Sequence, residues 1–173
     1  MAFDPVRTKQ VLNSFGESVI AKAKQNLDSR DINASGDLRD RKMSFVAKVM
    51  PNSISLSFNL GEYGEGIDRG INGYGKGLYD TPFSFKDPRP SARMIDNIID
   101  WSNDKGVSLR GNNWRQVRAS AYNMSRYILE NGIRPTNFFS DAYEEYFKEL
   151  PDDIAETFGL EIEDFFEFIF NKQ

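Results

Sequence analysis

Two carboxylates three residues apart are, by type and spacing, the side chains of this chain best suited to chemistry. Glu65 and Asp68 lie in a glycine-rich segment, residues 61–77. We predict that this segment is a loop, because so many glycines favour a backbone that turns repeatedly. Carboxylates that converge can serve as general acid and base toward a sugar or phosphate substrate. Acidic pairs on a surface are more often simply solvated, so the same two residues also fit a site without catalysis.

The glycine-rich segment also contains a sequence close to a phosphate-binding loop. Residues 70–76 read G-x-x-x-x-G-K, but the next residue is Gly77, so the hydroxyl that would bind Mg²⁺ is missing. The preceding predicted strand alternates apolar and polar residues, unlike the continuous apolar strands of a buried parallel sheet. The sequence therefore disfavours a nucleotide site, and we predict no cofactor.

The chain contains no cysteine and no histidine. Zinc sites of the Cys/His type, disulfides, and Cys–His or Ser–His nucleophilic pairs are therefore excluded. We predict no metal site and no catalytic residue, and we favour a binding or structural role over an enzyme.

Length and composition indicate one soluble globular domain of ordinary size. Of the 173 residues, 39% are hydrophobic and 28% are charged. No apolar run reaches the roughly 18 residues needed to cross a bilayer, and residues 1–10 lack the apolar core of a signal peptide. We expect no membrane association and a protein made in a cytoplasm.

Charge is unevenly distributed along the chain. Residues 1–140 carry 20 basic and 15 acidic side chains, whereas residues 141–173 carry 2 basic and 11 acidic ones. An acidic end on a mildly basic body favours self-association over nucleic-acid binding, because an acidic arm repels phosphates. A solvated acidic tail is the alternative.

The elements that must position the glycine-rich segment are a helix and a β-hairpin. Residues 6–28 have helical spacing, with apolar side chains at Leu12, Phe15, Val19, Ala23, Ile20 and Leu27. Residues 43–50 and 54–60 form two strands joined by a short turn, and the second alternates with Ile54, Leu56, Phe58 and Leu60 on one face. We predict that the helix covers one face of this antiparallel pair.

The rest of the chain is predicted to be mostly helical. Residues 79–90 contain three prolines and must be extended. Helices are predicted over 92–105, where Ser91 is the N-cap, over 114–131, and over 140–150. Their predicted apolar faces comprise Met94, Ile95, Ile98 and Trp101 in the first helix, and Trp114, Val117, Ala121, Met124 and Ile128 in the second.

The last segment, residues 151–173, combines seven carboxylates and one lysine with many apolar side chains. Ile162, Phe165, Phe166 and Ile169 fall on one helical face, which predicts an amphipathic arm. So much apolar surface must be buried, either by folding back or by docking on another subunit. We therefore predict an α+β domain over residues 1–150, with a small antiparallel sheet, a long N-terminal helix and further helices, followed by this arm.

Three segments, in this order, resemble the neck and tail-completion proteins of tailed bacteriophages, the lambdoid head–tail connector and minor tail component group. Residues 33–39 (NASGDLR) resemble that family's x-T-G-x-L-R turn before the first strand. Residues 63–70 (YGEGIDRG) resemble its Y-A-x-x-V-E-x-G segment, with Asp68 in place of the usual glutamate. Residues 134–142 (RPTNFFSDA) resemble its R-P-F-x-x-P-A stretch. The resemblance covers residues 5–150, with an insertion at about 79–133.

This resemblance implies a non-catalytic virion protein, made in the bacterial host, that forms a homo-oligomeric ring between portal and tail or at the head-proximal end of the tail. Its expected partners are other copies of itself and the portal-side and tail-side virion proteins, with DNA passing through the lumen. In that setting Glu62, Glu65 and Asp68 would face the lumen and repel phosphates. The predicted ring interface comprises Tyr63, Gly64, Glu65, Gly66, Asp68, Tyr74, Tyr79, Phe83, Phe85, Phe158, Phe165, Phe166, Phe168, Ile169 and Phe170.

Two other function classes stay open from the residues alone. The first is an enzyme that uses the carboxylates of Glu65 and Asp68. The second is a nucleic-acid-binding adaptor that uses Arg115, Arg118 and Arg126 with Trp114 and Tyr122. A pI near 5.0 argues against the adaptor, and a solvated helix face is the simpler interpretation of these arginines.

Overall fold

The computed structural model describes residues 4–32, 36–50 and 53–157, and of Glu62 the backbone alone. The predicted α+β class is confirmed, with a long N-terminal helix packed against a small antiparallel sheet. None of the helices in the described part of the chain is long and apolar enough to span a membrane. The elements are α1 (Pro5–Ser29), a π-helical turn (Leu38–Lys42), β1 (Ser44–Met50), β2 (Ser53–Asn59), α2 (Gly61–Arg69), β3 (Ile71–Asn72), α3 (Ala92–Asp104), α4 (Trp114–Asn131), β4 (Gly132–Ile133), α5 (Ser140–Phe147) and α6 (Leu150–Thr157).

Contacts divide the chain into two compact units that alternate along the sequence. The first unit holds the described residues within 1–31, 42–59 and 138–173, and the second holds those within 32–41 and 60–137. The predicted boundary after Leu150 stays a prediction, because residues 158–173 lie outside the described part of the chain.

Helix α1 organises the first unit as the sequence predicts. Asp4 is its N-cap, and its carboxylate accepts hydrogen bonds from the backbone N–H groups of Val6 and Arg7 at 3.0 and 3.1 Å. The buried apolar side chains of α1 recur at helical spacing, which confirms most of the predicted stripe: Leu12, Phe15, Val19, Ala23 and Leu27.

The hairpin β1–β2 lies against α1 through its larger side chains. Phe45 pairs with Phe58 across the hairpin. A Cβ at Gly16 would lie 2.5 Å from the Phe45 ring, so this glycine lets the hairpin approach α1 closely. The Phe58 ring centroid lies 6.3 Å from that of Phe15 and 5.1 Å from that of Phe139, both edge-on. Edge-to-face aromatic contacts thus join α1, the hairpin and the chain before α5.

The C-terminal end of the first unit departs from the single helix predicted over 140–150. Helix α5 ends at Phe147, and α6 begins at Leu150 with Pro151 in its first turn, where proline is tolerated. The Thr157 hydroxyl accepts a hydrogen bond from the buried Thr8 hydroxyl at 2.8 Å. The described start of the predicted arm therefore packs on α1.

Helices α3 and α4 pack together in the second unit, and both predicted apolar faces are partly wrong. Trp101 is 37% exposed and Trp114 is 61% exposed. The buried cluster of the two helices consists of Ile95, Ile99 and Ala121, with Ile98, Leu109 and Val117 packed against it, so the predicted positions Ile95, Ile98, Val117 and Ala121 are confirmed. The hydroxyls of Ser102 and Ser125 donate to carbonyls of their own helices, so both serines are buried without an unsatisfied hydroxyl.

Candidate functional site

The glycine-rich segment was predicted to be a loop, and for its first part this is wrong. Residues 61–69 form helix α2, although glycine is a poor helix former. Gly64 is buried, and a Cβ at this position would lie 2.6 Å from the Leu60 Cβ and 3.2 Å from Leu38 Cδ1. There is therefore no room for a larger residue. Packing, rather than a need for positive φ, accounts for this glycine.

The turn that precedes β1 contacts the exposed side of α2. Tyr63 hydrogen-bonds the Asp37 carboxylate. Partial burial, and secondarily the negative charge of Asp37, raise the pKa of the Tyr63 hydroxyl above its ordinary value. Together with Leu38 against Gly64, this contact joins the first resemblance segment to the second.

The C-terminal end of α2 is held by the third resemblance segment. The Thr136 N–H donates to the carbonyls of Ile67 and Asp68 at 3.2 and 3.0 Å, and the Asn137 N–H donates to the Asp68 carbonyl at 2.9 Å. The Thr136 hydroxyl also donates to the Ile67 carbonyl at 2.7 Å. Because the last carbonyls of a helix have no intrahelical partner, residues 136–137 act as its C-terminal cap.

Asn72 organises the chain that follows α2. Its side-chain amide accepts from the Tyr79 N–H at 2.8 Å and donates to the Tyr79 carbonyl at 3.0 Å. Its backbone donates to the Phe83 carbonyl at 2.9 Å and accepts from the Phe85 N–H at 3.0 Å. One buried asparagine therefore closes the loop of residues 73–78 and fixes the extended segment 79–90, as predicted for that segment.

The loop of residues 73–78 is fixed against the end of α4. A Cβ at Gly73 would collide with the Glu130 carbonyl. The Tyr74 N–H donates to the Leu129 carbonyl at 2.7 Å, and Lys76 Nζ donates to the Asn131 amide oxygen at 3.0 Å. From this base the loop presents Tyr74 and Leu78, which are 49% and 60% exposed. We call residues 73–78 the clamped loop.

Neither chemical interpretation of the glycine-rich segment gains support from its surroundings. Residues 70–76 follow a helix, and no helix begins after Lys76 until Ala92, so the strand–loop–helix context of a phosphate loop is absent there. Glu65 is exposed, whereas Asp68 is only 3% exposed. The two carboxylates therefore do not form an accessible pair. The lumen-facing position predicted for Asp68 is wrong because its side chain is buried. The side chain of Glu62 is not among the parts of the chain that the structure describes.

The other predicted interface residues that the structure describes fall into three groups by exposure. Tyr63, Glu65 and Tyr74 are exposed; Tyr79, Phe83 and Phe85 are half-buried; Gly64 and Gly66 are buried in α2. The arm residues Phe158, Phe165, Phe166, Phe168, Ile169 and Phe170 lie outside the described residues. Leu78, which the sequence analysis did not select, is more exposed than any of the predicted aromatics that the structure describes.

The arginines on α4 lie at the surface, as the simpler interpretation predicts. Arg118 pairs with Asp96 and stands 5.8 Å from the Trp114 ring centroid, and Arg126 pairs with Glu130 at 2.7 Å. Burial is incomplete for each of these ion pairs, so they contribute little to stability.

An open cleft of about 460 Å³ lies beside α3, lined by residues that include Ser102, Asn103, Val107 and Leu109 and by no charged side chain. Within the described residues, no group of three or more acidic side chains could hold a metal ion. The exposed apolar and aromatic side chains of α2 and the clamped loop are instead suited to binding another protein surface. Protein-family models, curated proteins and solved structures were each compared with this chain, and none matches.

Proposed function

We propose that this chain is a structural virion protein of a tailed bacteriophage, which forms a homo-oligomeric ring in the neck or at the head-proximal end of the tail. The observation that carries the proposal is that the three segments with family resemblance meet on α2. Asp37 and Leu38 contact its first turns, and Thr136 and Asn137 cap its last turn.

This convergence supports the proposal because the segments are far apart in sequence. Ile67 and Thr136 are separated by 69 positions yet share two hydrogen bonds. Three short sequence matches that arose by chance have no reason to lie against one another. Three segments that specify one structural unit must lie against one another, since each supplies contacts that the others need.

The exposed residues around α2 fit a ring interface. Tyr63 and Glu65 project from the helix, and the clamped loop presents Tyr74 and Leu78 beside them in sequence. A loop already fixed by Asn72 loses little conformational freedom on binding, which favours association. In a closed ring every copy buries the same surface against its neighbour, so no such surface is left exposed. Its neighbours would be portal-side and tail-side virion proteins.

The proposal is tested by the mass and shape of the purified full-length chain. We expect light scattering to give a multimer and electron microscopy to show a ring whose lumen admits duplex DNA. Mass spectrometry of purified phage particles should find the chain among the structural proteins. A chain absent from the particles contradicts the proposal, whatever its mass in solution.

The role of the clamped loop is tested by Tyr74→Ala with Leu78→Ala. We expect this pair to weaken ring assembly about tenfold or more, because apolar anchors dominate protein interfaces. The matched control is Tyr127→Ala with Val107→Ala, which removes side chains of similar type that are 68% and 43% exposed elsewhere in the same unit. Equal loss of assembly in both double variants would exclude a specific role for the loop.

A further inference from the structure

The chain has a block of basic residues with no acidic residue inside it. From residue 105 to residue 129 there are five basic side chains, and the next acidic one is Glu130. The five are Lys105, Arg110, Arg115, Arg118 and Arg126. This block contains most of α4, so its positive charge is concentrated on one structural element.

Helix α4 displays part of this block as one exposed stripe. Arg115, Ala119, Tyr122 and Arg126 follow one another at spacings of four, three and four, which places them on one face of the helix. All four are exposed, Tyr122 by 40%. Trp114, 61% exposed, flanks this face at the start of the helix, next to Arg115. We call these five residues the α4 stripe.

The stripe retains unused binding capacity. Arg115 has no ion pair with any described residue. Arg126 donates to Glu130, but a guanidinium carries five N–H donors and this pair uses only two of them. Surface ion pairs of this kind exchange readily with other carboxylates, because their net stabilisation is small.

The last sixteen residues of the chain have the complementary composition. Residues 158–173 contain four carboxylates and one lysine, together with five phenylalanines. The carboxylates are Glu161, Glu163, Asp164 and Glu167. Guanidinium groups bind carboxylates through paired hydrogen bonds and also stack on aromatic rings, so arginines interleaved with aromatics suit an acidic, phenylalanine-rich sequence.

We propose that the α4 stripe is the docking site for residues 158–173 of a second copy of this chain. The inference rests on the proposed function, since it assigns a second contact between neighbouring subunits of the ring, in addition to that of the clamped loop. The carboxylates of the incoming segment would pair with Arg115 and Arg126, and its phenylalanines would pack on Trp114 and Tyr122. Each copy offers one stripe and one segment, so the contact is head-to-tail and can close a ring.

Reciprocal charge reversal in the full-length chain tests this docking. The stripe variant carries Arg115→Glu and Arg126→Glu, and the arm variant carries Glu163→Lys and Glu167→Lys. We expect each variant alone to associate about tenfold or more weakly than the original chain in sedimentation velocity across a concentration series. An equimolar mixture should associate again, because the acidic stripe of one variant then faces the basic arm of the other. Association of the original chain should weaken with added salt.

A matched control separates a specific contact from a change in net charge. Lys9→Glu with Lys148→Glu changes the net charge by the same amount as the stripe variant, at two exposed lysines of the first unit. This control should associate as the original chain does. Circular dichroism checks that every variant is folded, and Arg115→Glu alone provides a variant that breaks no described ion pair.

The outcomes distinguish the docking from the proposed function. A stripe variant that associates like the original chain overturns the docking, and so does a mixture that stays as dissociated as its components. If association returns only when all four substitutions are in one chain, the segment binds its own copy. This outcome also overturns docking between copies. If the original chain forms rings in these cases, or is found in phage particles, the proposed function stands without this interface.

Discussion

Different interactions stabilise the interior of each of the two units. In the first, apolar and aromatic side chains of α1, the hairpin and α5 fill a core, with Phe15 lying 5.7 Å from Tyr143 and 6.3 Å from Phe58 between ring centroids. In the second, the chain around α2 is held by hydrogen bonds from Asn72 and Thr136 and by glycines that allow close backbone contact. The first mechanism spreads stability over many weak contacts, whereas the second concentrates it in a few groups.

This difference matters for function because the exposed candidate surfaces belong to the second unit. Tyr74 and Leu78 project from a loop that Asn72 closes, and the α4 stripe lies on a helix that buries Ala121, Ser125 and Leu129 on another face. A surface that must fit a neighbour benefits from a rigid base. Polar clamps provide such rigidity in a segment too short and too rich in glycine to form a core of its own.

The largest effect is expected from the core of the first unit. Phe15→Ala should lower the free energy of unfolding by about 3–4 kcal/mol, because it removes a buried ring that contacts the rings of Phe58 and Tyr143, and it leaves a cavity. Chemical denaturation measures this. Val6→Ala on the same helix is the control, since Val6 is 66% exposed and should cost little beyond helix propensity. Equal effects at both positions would show that the aromatic core contributes no special stability.

A single glycine should matter nearly as much in the second unit. Gly132 has φ 84° and ψ −174°, a conformation open in practice to glycine alone, and a Cβ there would collide with the Ile71 carbonyl. We expect Gly132→Ala to cost about 3 kcal/mol in unfolding free energy. Gly77→Ala is the matched control, because nothing lies within 4 Å of its Cβ position and its φ is not in the left-handed region. An unchanged free energy of unfolding in Gly132→Ala would show that the close contact between Gly132 and the Ile71 carbonyl does not require glycine.

The Asn72 clamp ranks next. Asn72→Ala removes both side-chain hydrogen bonds to Tyr79 and leaves the Tyr79 N–H without its partner, although the Tyr79 carbonyl still accepts from the Thr81 N–H, so we expect a loss of about 2 kcal/mol. Hydrogen exchange should also rise over residues 73–85. Asn123→Ala, at an exposed position of α4, should change neither quantity. Unchanged exchange in the Asn72 variant would mean that the loop is held by other contacts.

The smallest effect concerns pH. Because the pKa of Tyr63 is raised in the folded state, its contribution to stability is complete below its ordinary value of 10.0 and is lost as pH rises through the higher, folded-state pKa. The free energy of unfolding should therefore fall more steeply at alkaline pH in the original chain than in Tyr63→Phe. The difference in phenolate absorbance between the two proteins, measured across the alkaline range, reports the titration of Tyr63 separately from that of the other tyrosines among the seven in the chain. Identical pH dependence would indicate that Tyr63 and Asp37 are not coupled.

The sequence predicted the first unit far better than the second. The apolar period of α1 and the alternation of the hairpin are direct consequences of burying one face, so both elements and their partners could be predicted. The site could be predicted only in part. The glycine-rich segment was located, but its helix was missed because glycine usually breaks helices and the contacts that favour it there come from Leu38 and Leu60.

The buried faces of α3 and α4 show the same limit. Trp101 and Trp114 are large and apolar, yet both are exposed, and the buried cluster of the two helices consists of Ile95, Ile99 and Ala121. The sequence by itself determined the α+β class, helices α1, α3 and α4, the hairpin and the segregation of charge, since these follow from local periodicity and composition. Only the tertiary structure decided that Asn72 closes the loop, that residues 136–137 cap α2 and which faces stay exposed. Those features depend on side-chain hydrogen bonds and tertiary contacts, some of them between residues as far apart as Ile67 and Thr136, and no hydrophobic periodicity encodes them.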